Sequence, residues 1–171
     1  MKTIPTKINK YNVYNQGNRL LGMGDEVTLP SFEASSETVS GAGVLGEFDD
    51  PTVGYFSNME QEIPFRVLDQ EAVDMLDQTK AVQLELRGAQ QTTDSNGDIE
   101  FRPMRVVVRG RMAGFDPGKV KAGNGMETSV KLTILYILIE LEDQPMVELD
   151  KINEVFKIRG VDVLAKIKEM C

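Results

Sequence analysis

A chain of 171 residues with 27 acidic against 19 basic side chains carries a formal net charge of −8, which argues against a nucleic-acid reader that must neutralise phosphates. With 41% hydrophobic and 27% charged residues it has the composition of a folded globular protein, and we expect one domain over residues 1–171. The lack of histidine removes the commonest general base and metal ligand at neutral pH. The single cysteine, Cys171, permits no intrachain disulfide, so folding in a reducing cytoplasm is expected. The start has no basic segment leading into an apolar one, and no run of about 18 apolar residues occurs, so neither an export signal nor a membrane anchor is expected.

Most of the chain alternates apolar and polar residues at the strand period, with turn signals between the runs. Residues 12–15 and 19–23, separated by Gln16-Gly17-Asn18, read as a first hairpin. Val27-Thr28-Leu29 reads as a strand ending at Pro30, and Phe32, Ala34, Ser36 and Thr38 alternate in a run too polar for deep core. Residues 40–58, with Gly41, Gly43, Gly46, Asp49, Asp50 and Pro51, follow neither period and read as a long contact-forming loop. Met59, Gln61, Ile63, Phe65 and Val67 alternate again; Pro64 cannot donate to a ladder, which puts this strand at an edge or a bulge.

Asp69 is placed to cap a short helix whose Ala72, Val73, Met75 and Leu76 cover a sheet face. Val82, Leu84 and Leu86 begin a strand that turns at Asn96-Gly97, the strongest hairpin signal in the chain, and returns over residues 99–112. Residues 116–125 form a second long loop carrying Lys119 and Lys121. Residues 128–143 make a strand far longer than the usual five or six or so. Val130, Leu132 and Ile134 share its first apolar face, whereas residues 135–141 are apolar on both faces and require two covers, one of them a neighbouring subunit. Gln144-Pro145 turns the chain, and Asp162 caps a final amphipathic helix over residues 162–170, with Val163, Leu164, Ile167 and Met170 on its stripe. The expected fold is mainly β: two packed antiparallel sheets, sandwich or barrel-like, with a flanking helix and long assembly loops.

Four motifs suggest chemistry, and their contexts argue against it. Gly41-Ala42-Gly43-Val44-Leu45-Gly46 spells Gly-x-Gly-x-x-Gly, but a polar run precedes it and Pro51 stops any helix after it, so no cofactor is expected. Asp94-Ser95-Asn96-Gly97-Asp98 imitates the first ligands of a calcium loop, yet Ile99 and Arg105 stand where that loop needs Gly and Glu. Asp49 and Asp50 adjoin in an extended chain and point to opposite sides, so they make no acid–base pair. Arg105, Arg109 and Arg111 share a strand face around Val107, and their expected partners are carboxylates of an adjacent subunit. No catalytic residue, metal site or cofactor is expected.

Several stretches, in this order and spacing, resemble the major tail tube protein of contractile-tailed phages and phage-tail-like bacteriocins. They are Val27-Thr28-Leu29-Pro30, Gly41-Ala42-Gly43 with Gly46, Arg109-Gly110-Arg111, Gly118, Lys121 and Gly123, the long strand through Tyr136, Val147-Glu148-Leu149-Asp150-Lys151-Ile152-Asn153, and Val161-Asp162. The resemblance spans nearly the whole chain and departs from the pattern at Gln144-Pro145 and over residues 46–58.

It implies a structural, non-enzymatic virion tail subunit, assembled in the host cytoplasm into hexameric rings that stack as a tube. The implied partners are a tail sheath protein, baseplate and tail terminator proteins and a tape measure protein, with DNA passing through the lumen unbound. On that resemblance Gly41, Gly43, Gly46, Asp49, Asp50, Arg105, Arg109, Arg111, Lys119 and Lys121 are assembly-interface residues, and Val130, Leu132, Ile134 and Tyr136 mark the inner-barrel strand. Glu60, Glu62, Glu127, Glu140 and Glu142 are candidates for an acidic lumen wall. Two alternatives stay open: a type VI-like secretion tube subunit and, from a different class, a soluble β-barrel module for a small ligand.

Overall fold

The period-two runs become strands and the two capped segments become short helices in the computed structural model, which describes residues 2–171. One antiparallel sheet contains β1 (Ile4–Asn15), β2 (Asn18–Arg19), β5 (Glu60–Phe65), β6 (Val82–Thr93), β7 (Ile99–Asp116), β8 (Thr128–Leu141), β9 (Gln144–Asp150), β10 (Val155–Ile158) and β11 (Val161–Asp162). Its order is β11-β10-β9-β8-β7-β6-β1-β2, with β5 joined to β8. The second, smaller sheet is the hairpin of β3 (Ala34–Ser40) and β4 (Glu47–Phe56). Helices α1 (Gln70–Asp74) and α2 (Ala165–Met170) complete the fold, which is mainly β as expected.

Strand β8 organises the large sheet. Residues 128–133 bond β5 and residues 136–141 bond β9, both on the edge away from β7. Leu135, between those halves, drops out of the β7 ladder: Ile134 faces Gly110 and Tyr136 faces Arg109. One extra residue moves every later side chain to the other face. Val130, Leu132 and Ile134 before the bulge, and Ile137 and Ile139 after it, therefore all join the core. Tyr136, grouped in the sequence with Val130, Leu132 and Ile134, lies on the opposite face.

Strands β1 and β5 approach each other across the core. Val13 of β1 and Ile63 of β5 line one small void with Leu84 and Val106, so the sheet curls around its core like a barrel. Asp69 caps α1 as expected, accepting from the Gln70 amide at 2.7 Å, and Ala72 and Met75 bury fully in the core. Pro64 sits in β5, whose only ladder is to β8. Pro64 still contributes as an acceptor, since its carbonyl takes the Gly24 amide at 3.0 Å.

Four expectations need correction. Val27-Thr28-Leu29 joins no strand ladder: the Thr28 carbonyl is taken by the Gln61 side chain at 2.7 Å, and Val27 packs on the core. Residues 40–58 are no loop; β4 fills most of them and pairs with β3, and only the glycine-rich tip between the two strands is a turn. Neither strand buries one face, so no regular apolar alternation marked them in the sequence. The turn after β8 lies at Glu142 and Asp143 instead of Gln144-Pro145, and Pro145 stands opposite Glu140 within β9. The last helix begins at Ala165, because Asp162 pairs with Lys157 in a small hairpin and its carboxylate accepts from the Leu164 amide at 2.9 Å in the turn before α2.

The Glu142-Asp143 turn holds both residues at positive φ, +52° and +60°, a conformation that two-residue hairpins normally give to Asn-Gly. Each non-glycine residue in that region costs roughly 1 kcal/mol or more. Asp143→Gly, which leaves the Glu142–Arg102 ion pair in place, is expected to stabilise the fold by about 1 kcal/mol, raising Tm by about 2–4 °C in a chain of this size. Thermal unfolding followed by circular dichroism checks it, and a lowered midpoint would reject this account of the turn.

Candidate functional site

The hairpin β3–β4 projects as an arm. Gly41, Gly43 and Gly46 form its tip, all with positive φ, and β4 rather than a helix follows them, so they do not build a phosphate cradle. Asp49 and Asp50 sit side by side on β4, opposite Thr38 and Glu37 respectively; the Thr38 hydroxyl donates to Asp49 at 2.7 Å. Leu45 at the tip is fully exposed, and Phe48, Val53 and Tyr55 along the arm are more than half exposed. The arm is fixed at its base: Phe56 stacks edge-on against Phe32 and Phe156, with centroids 5.6 and 5.2 Å apart.

Lys119 and Lys121 lie in the loop between β7 and β8, which is tied down more firmly than its glycines suggest. The Lys119 amide donates to the Met126 carbonyl at 2.8 Å, the Met126 amide to Arg66 at 2.6 Å, and the Thr128 hydroxyl to Pro117 at 3.0 Å. Both lysine side chains stay exposed beside an open cleft of about 950 Å³ shared with Asp25, Arg66 and Asp116. At the β6–β7 tip, Asp94 accepts from the amides of Asn96 and Asp98 at 2.8 and 2.9 Å, so its carboxylate closes the turn. Among the described residues no group of three or more Asp, Glu, His or Cys is arranged to hold a metal ion.

The face of the large sheet turned away from the core carries a network the sequence did not disclose. The ladder sets Arg87 of β6 directly opposite Arg105 of β7, a like-charge pair that is unfavourable alone. Glu85 bridges them, accepting from Arg87 Nε at 2.6 Å and Arg105 Nε at 2.8 Å. Glu140 of β8, opposite Arg105, takes its other side at 2.7 Å. The Arg87 and Arg105 bonds outweigh burial and hold Glu85 below the usual carboxylate range. Arg109 lies 4.8 Å above the Tyr136 ring and 3.5 Å from Asp150, and Arg87 lies 4.7 Å above Tyr14. Burial and the adjacent Glu148 push the Tyr136 hydroxyl up to about 12, so it remains a donor, to Glu148 at 3.1 Å. The carboxylates expected from an adjacent subunit are thus found within the chain for Arg105 and Arg109. Arg111 is exposed and makes no ion pair among the described residues. Two acids considered for a lumen wall are also paired, Glu142 with Arg102 at 2.6 Å and Glu60 with Lys131 at 3.7 Å.

The stretch Leu149-Asp150-Lys151-Ile152-Asn153 is a structural knot. Asp150 is buried and accepts from the Ile152 and Asn153 amides, both at 3.0 Å, and from the Asn153 side chain at 2.7 Å. The Lys151 amide donates at 2.9 Å to the carbonyl of Leu135, the bulged residue, while its ammonium reaches Ser57 at the foot of the arm at 2.9 Å. Burial lowers the pKa of that ammonium. For Asp150, burial raises the pKa, but the Asn153 and Ile152 donors and Arg109 outweigh it and hold the carboxyl below its ordinary range. A carboxylate depressed on folding stabilises the fold above its unfolded pKa, about 3.9, and loses that contribution as pH falls through the lower folded value. Asp150→Ala is therefore expected to cost about 3 kcal/mol at pH 7 and to make stability less sensitive to acidification below about pH 4. Denaturant midpoints at neutral and acidic pH check both; equal losses at the two pH values would show that the carboxylate is not the stabilising group.

Comparison with known proteins places this architecture. The family model for phage tail tube protein FII matches residues 5–170. The tail tube protein of Escherichia phage P2 is 26% identical over 170 residues, covering 94% of this chain and 94% of that protein. A chain in the cryo-EM structure of the sheath/tube terminator of PVC, an extracellular contractile injection system in its extended state, has a TM-score of 0.58 at 14% identity. That alignment covers 80% of this chain and 96% of the other, and at such identity it speaks for the fold alone. Because the family model takes in the whole sheet but its outermost residue, the arm and both helices, the chain belongs to the phage tail tube protein FII family.

Proposed function

We propose that this chain is the repeating subunit of the inner tube of a contractile tail, stacking as hexameric rings that conduct DNA and penetrate an envelope, without catalysing a reaction. The observation that carries the assembly is the open edge of β1. This twelve-residue strand bonds β6 along one side, while its other side meets β2 only at Tyr14 and Asn15. A long unpaired edge is a template for another strand, and a ring closes it against the next copy instead of leaving it to aggregate. The exposed apolar arm supplies a separate contact that suits ring-to-ring stacking, with Gly41, Gly43, Gly46, Asp49 and Asp50 in it. Lys119, Lys121 and Arg111 are free to serve a further interface.

Six subunits giving about four strands each would close a barrel of roughly 150 Å circumference and about 48 Å backbone diameter, from strands about 4.8 Å apart tilted by about 40°. Side chains narrow this by roughly 10 Å, leaving room for a DNA duplex. Six copies at −8 each bring about −48 to a ring, which disfavours DNA adhesion. A tail sheath, baseplate, tail terminator and tape measure protein are the partners such a tube requires. The family match favours this reading over a type VI-like tube or a small-ligand module.

Negative-stain electron microscopy over a concentration series tests the reading: hollow rings or tubes of constant diameter are expected, and a compact monomer at every concentration would count against it. Leu45→Glu/Phe48→Glu is expected to raise the concentration needed for tubes at least tenfold while leaving the melting temperature within about 1 °C, since both side chains are exposed in the subunit. Unchanged tube formation would remove the arm from the stacking contact.

A further inference from the structure

The sheet face described above carries four arginines, Arg87, Arg105, Arg109 and Arg111, which in the proposed tube would face a lumen that lets DNA slide. This inference rests on the tube reading, in which the uncovered sheet face lines the channel because the opposite face is closed by the core, β5 and α1. Free guanidiniums there would grip the phosphate backbone, since their planar forks suit bidentate bonds to phosphate. Along β7, Arg105, Arg109 and Arg111 would span about 20 Å at about 3.4 Å per residue, a row able to meet several phosphates at once.

Three of the four are already occupied. Glu85 and Glu140 take two separate sides of the Arg105 guanidinium, at 2.8 and 2.7 Å, and Glu85 also holds Arg87 at 2.6 Å. Arg109 is held between Asp150 and the Tyr136 ring. Glu85 and Glu140 are themselves well covered, with side chains 18% and 19% exposed, whereas Arg105 remains 43% exposed. The clamp therefore hides its carboxylates more than its cation. A face that needed only to be acidic would not require these arginines.

We propose that Glu85 and Glu140 act as an intramolecular clamp that denies Arg87 and Arg105 to passing phosphodiester backbone, so that the channel face slides on DNA although it is rich in arginine. Cutting the clamp turns the same face into a polyanion-binding surface. Arg111 alone offers one phosphate contact, too little to retain a duplex.

The test uses the full chain as dispersed subunits, a short fluorescent DNA duplex and fluorescence anisotropy. Glu85→Gln/Glu140→Gln is expected to bind at least tenfold more tightly than wild type, with affinity falling about tenfold between about 50 and 200 mM salt as two guanidiniums release counterions. Adding Arg87→Gln and Arg105→Gln should abolish the gain. Asp74→Asn/Glu169→Gln, which removes the same formal charge at two exposed positions, should not reproduce it. If the double variant fails to melt cooperatively, Glu140→Gln alone, which leaves Glu85 on Arg87 and Arg105, should give a smaller gain with a shallower salt dependence. No gain in a folded variant, or an equal gain in the charge control, overturns the clamp. Assembled variant tubes then separate the two ideas: DNA held at the open ends and within the bore agrees with the channel placement, while DNA decorating the outer wall would reject that placement and leave the clamp standing.

Discussion

The fold depends on one irregularity in the β7–β8 ladder. At Leu135 strand β8 releases β5 as a neighbour and takes up β9, and the bulge that makes this possible changes which side chains face the core. Gly110 stands across from it because a Cβ at that position would run into the Thr133 backbone. The bulged carbonyl is not left unsatisfied: it accepts the Lys151 amide at 2.9 Å. The Ile134 amide beside it donates to Met59 at 2.8 Å, which brings in the segment just before β5. Sheet curvature, core continuity and the anchoring of the arm through Lys151 thus share one set of backbone bonds.

From that geometry the subunit acquires three separate surfaces. The core face is satisfied within the chain. The arm carries apolar side chains that the subunit does not bury, which is the ordinary mark of a surface awaiting a partner. The outer sheet face carries charge, but mostly charge already neutralised across strands. These surfaces can be tuned independently, because the arm is held at its base, through Phe56, the carbonyl of Ser57 and Gly54 against Leu164, while its tip stays exposed. In the proposed tube, that separation would let stacking contacts strengthen without roughening the channel.

Much of this was legible in residue order. Alternation located β5, β6, β7 and β8; Asn96-Gly97 set the β6–β7 hairpin; Asp69 marked the start of α1. The arm escaped because β3 and β4 are exposed on both faces, so no apolar period marks them as strands. The turn at Glu142-Asp143 escaped because neither residue is one that positive φ favours. The Glu85 clamp was out of reach: a two-residue turn at Asn96-Gly97 would set Arg87 opposite Val106, and only the observed five-residue loop over residues 94–98 brings it opposite Arg105. Its third member, Glu140, comes from a strand whose register no local turn sets.

The sequence by itself determined the β-rich class, the strands with one apolar face, the glycine tip of the arm and the excess of acid, because these follow from local propensity and from charge counted along the chain. Only the tertiary structure decided which acids meet which arginines and on which face Tyr136 lies. The reason is physical: side-chain facing in a strand has period two, so a single bulge at Leu135 reverses the facing of every residue beyond it, and that bulge is stabilised by Gly110 and Lys151, neighbours remote in sequence.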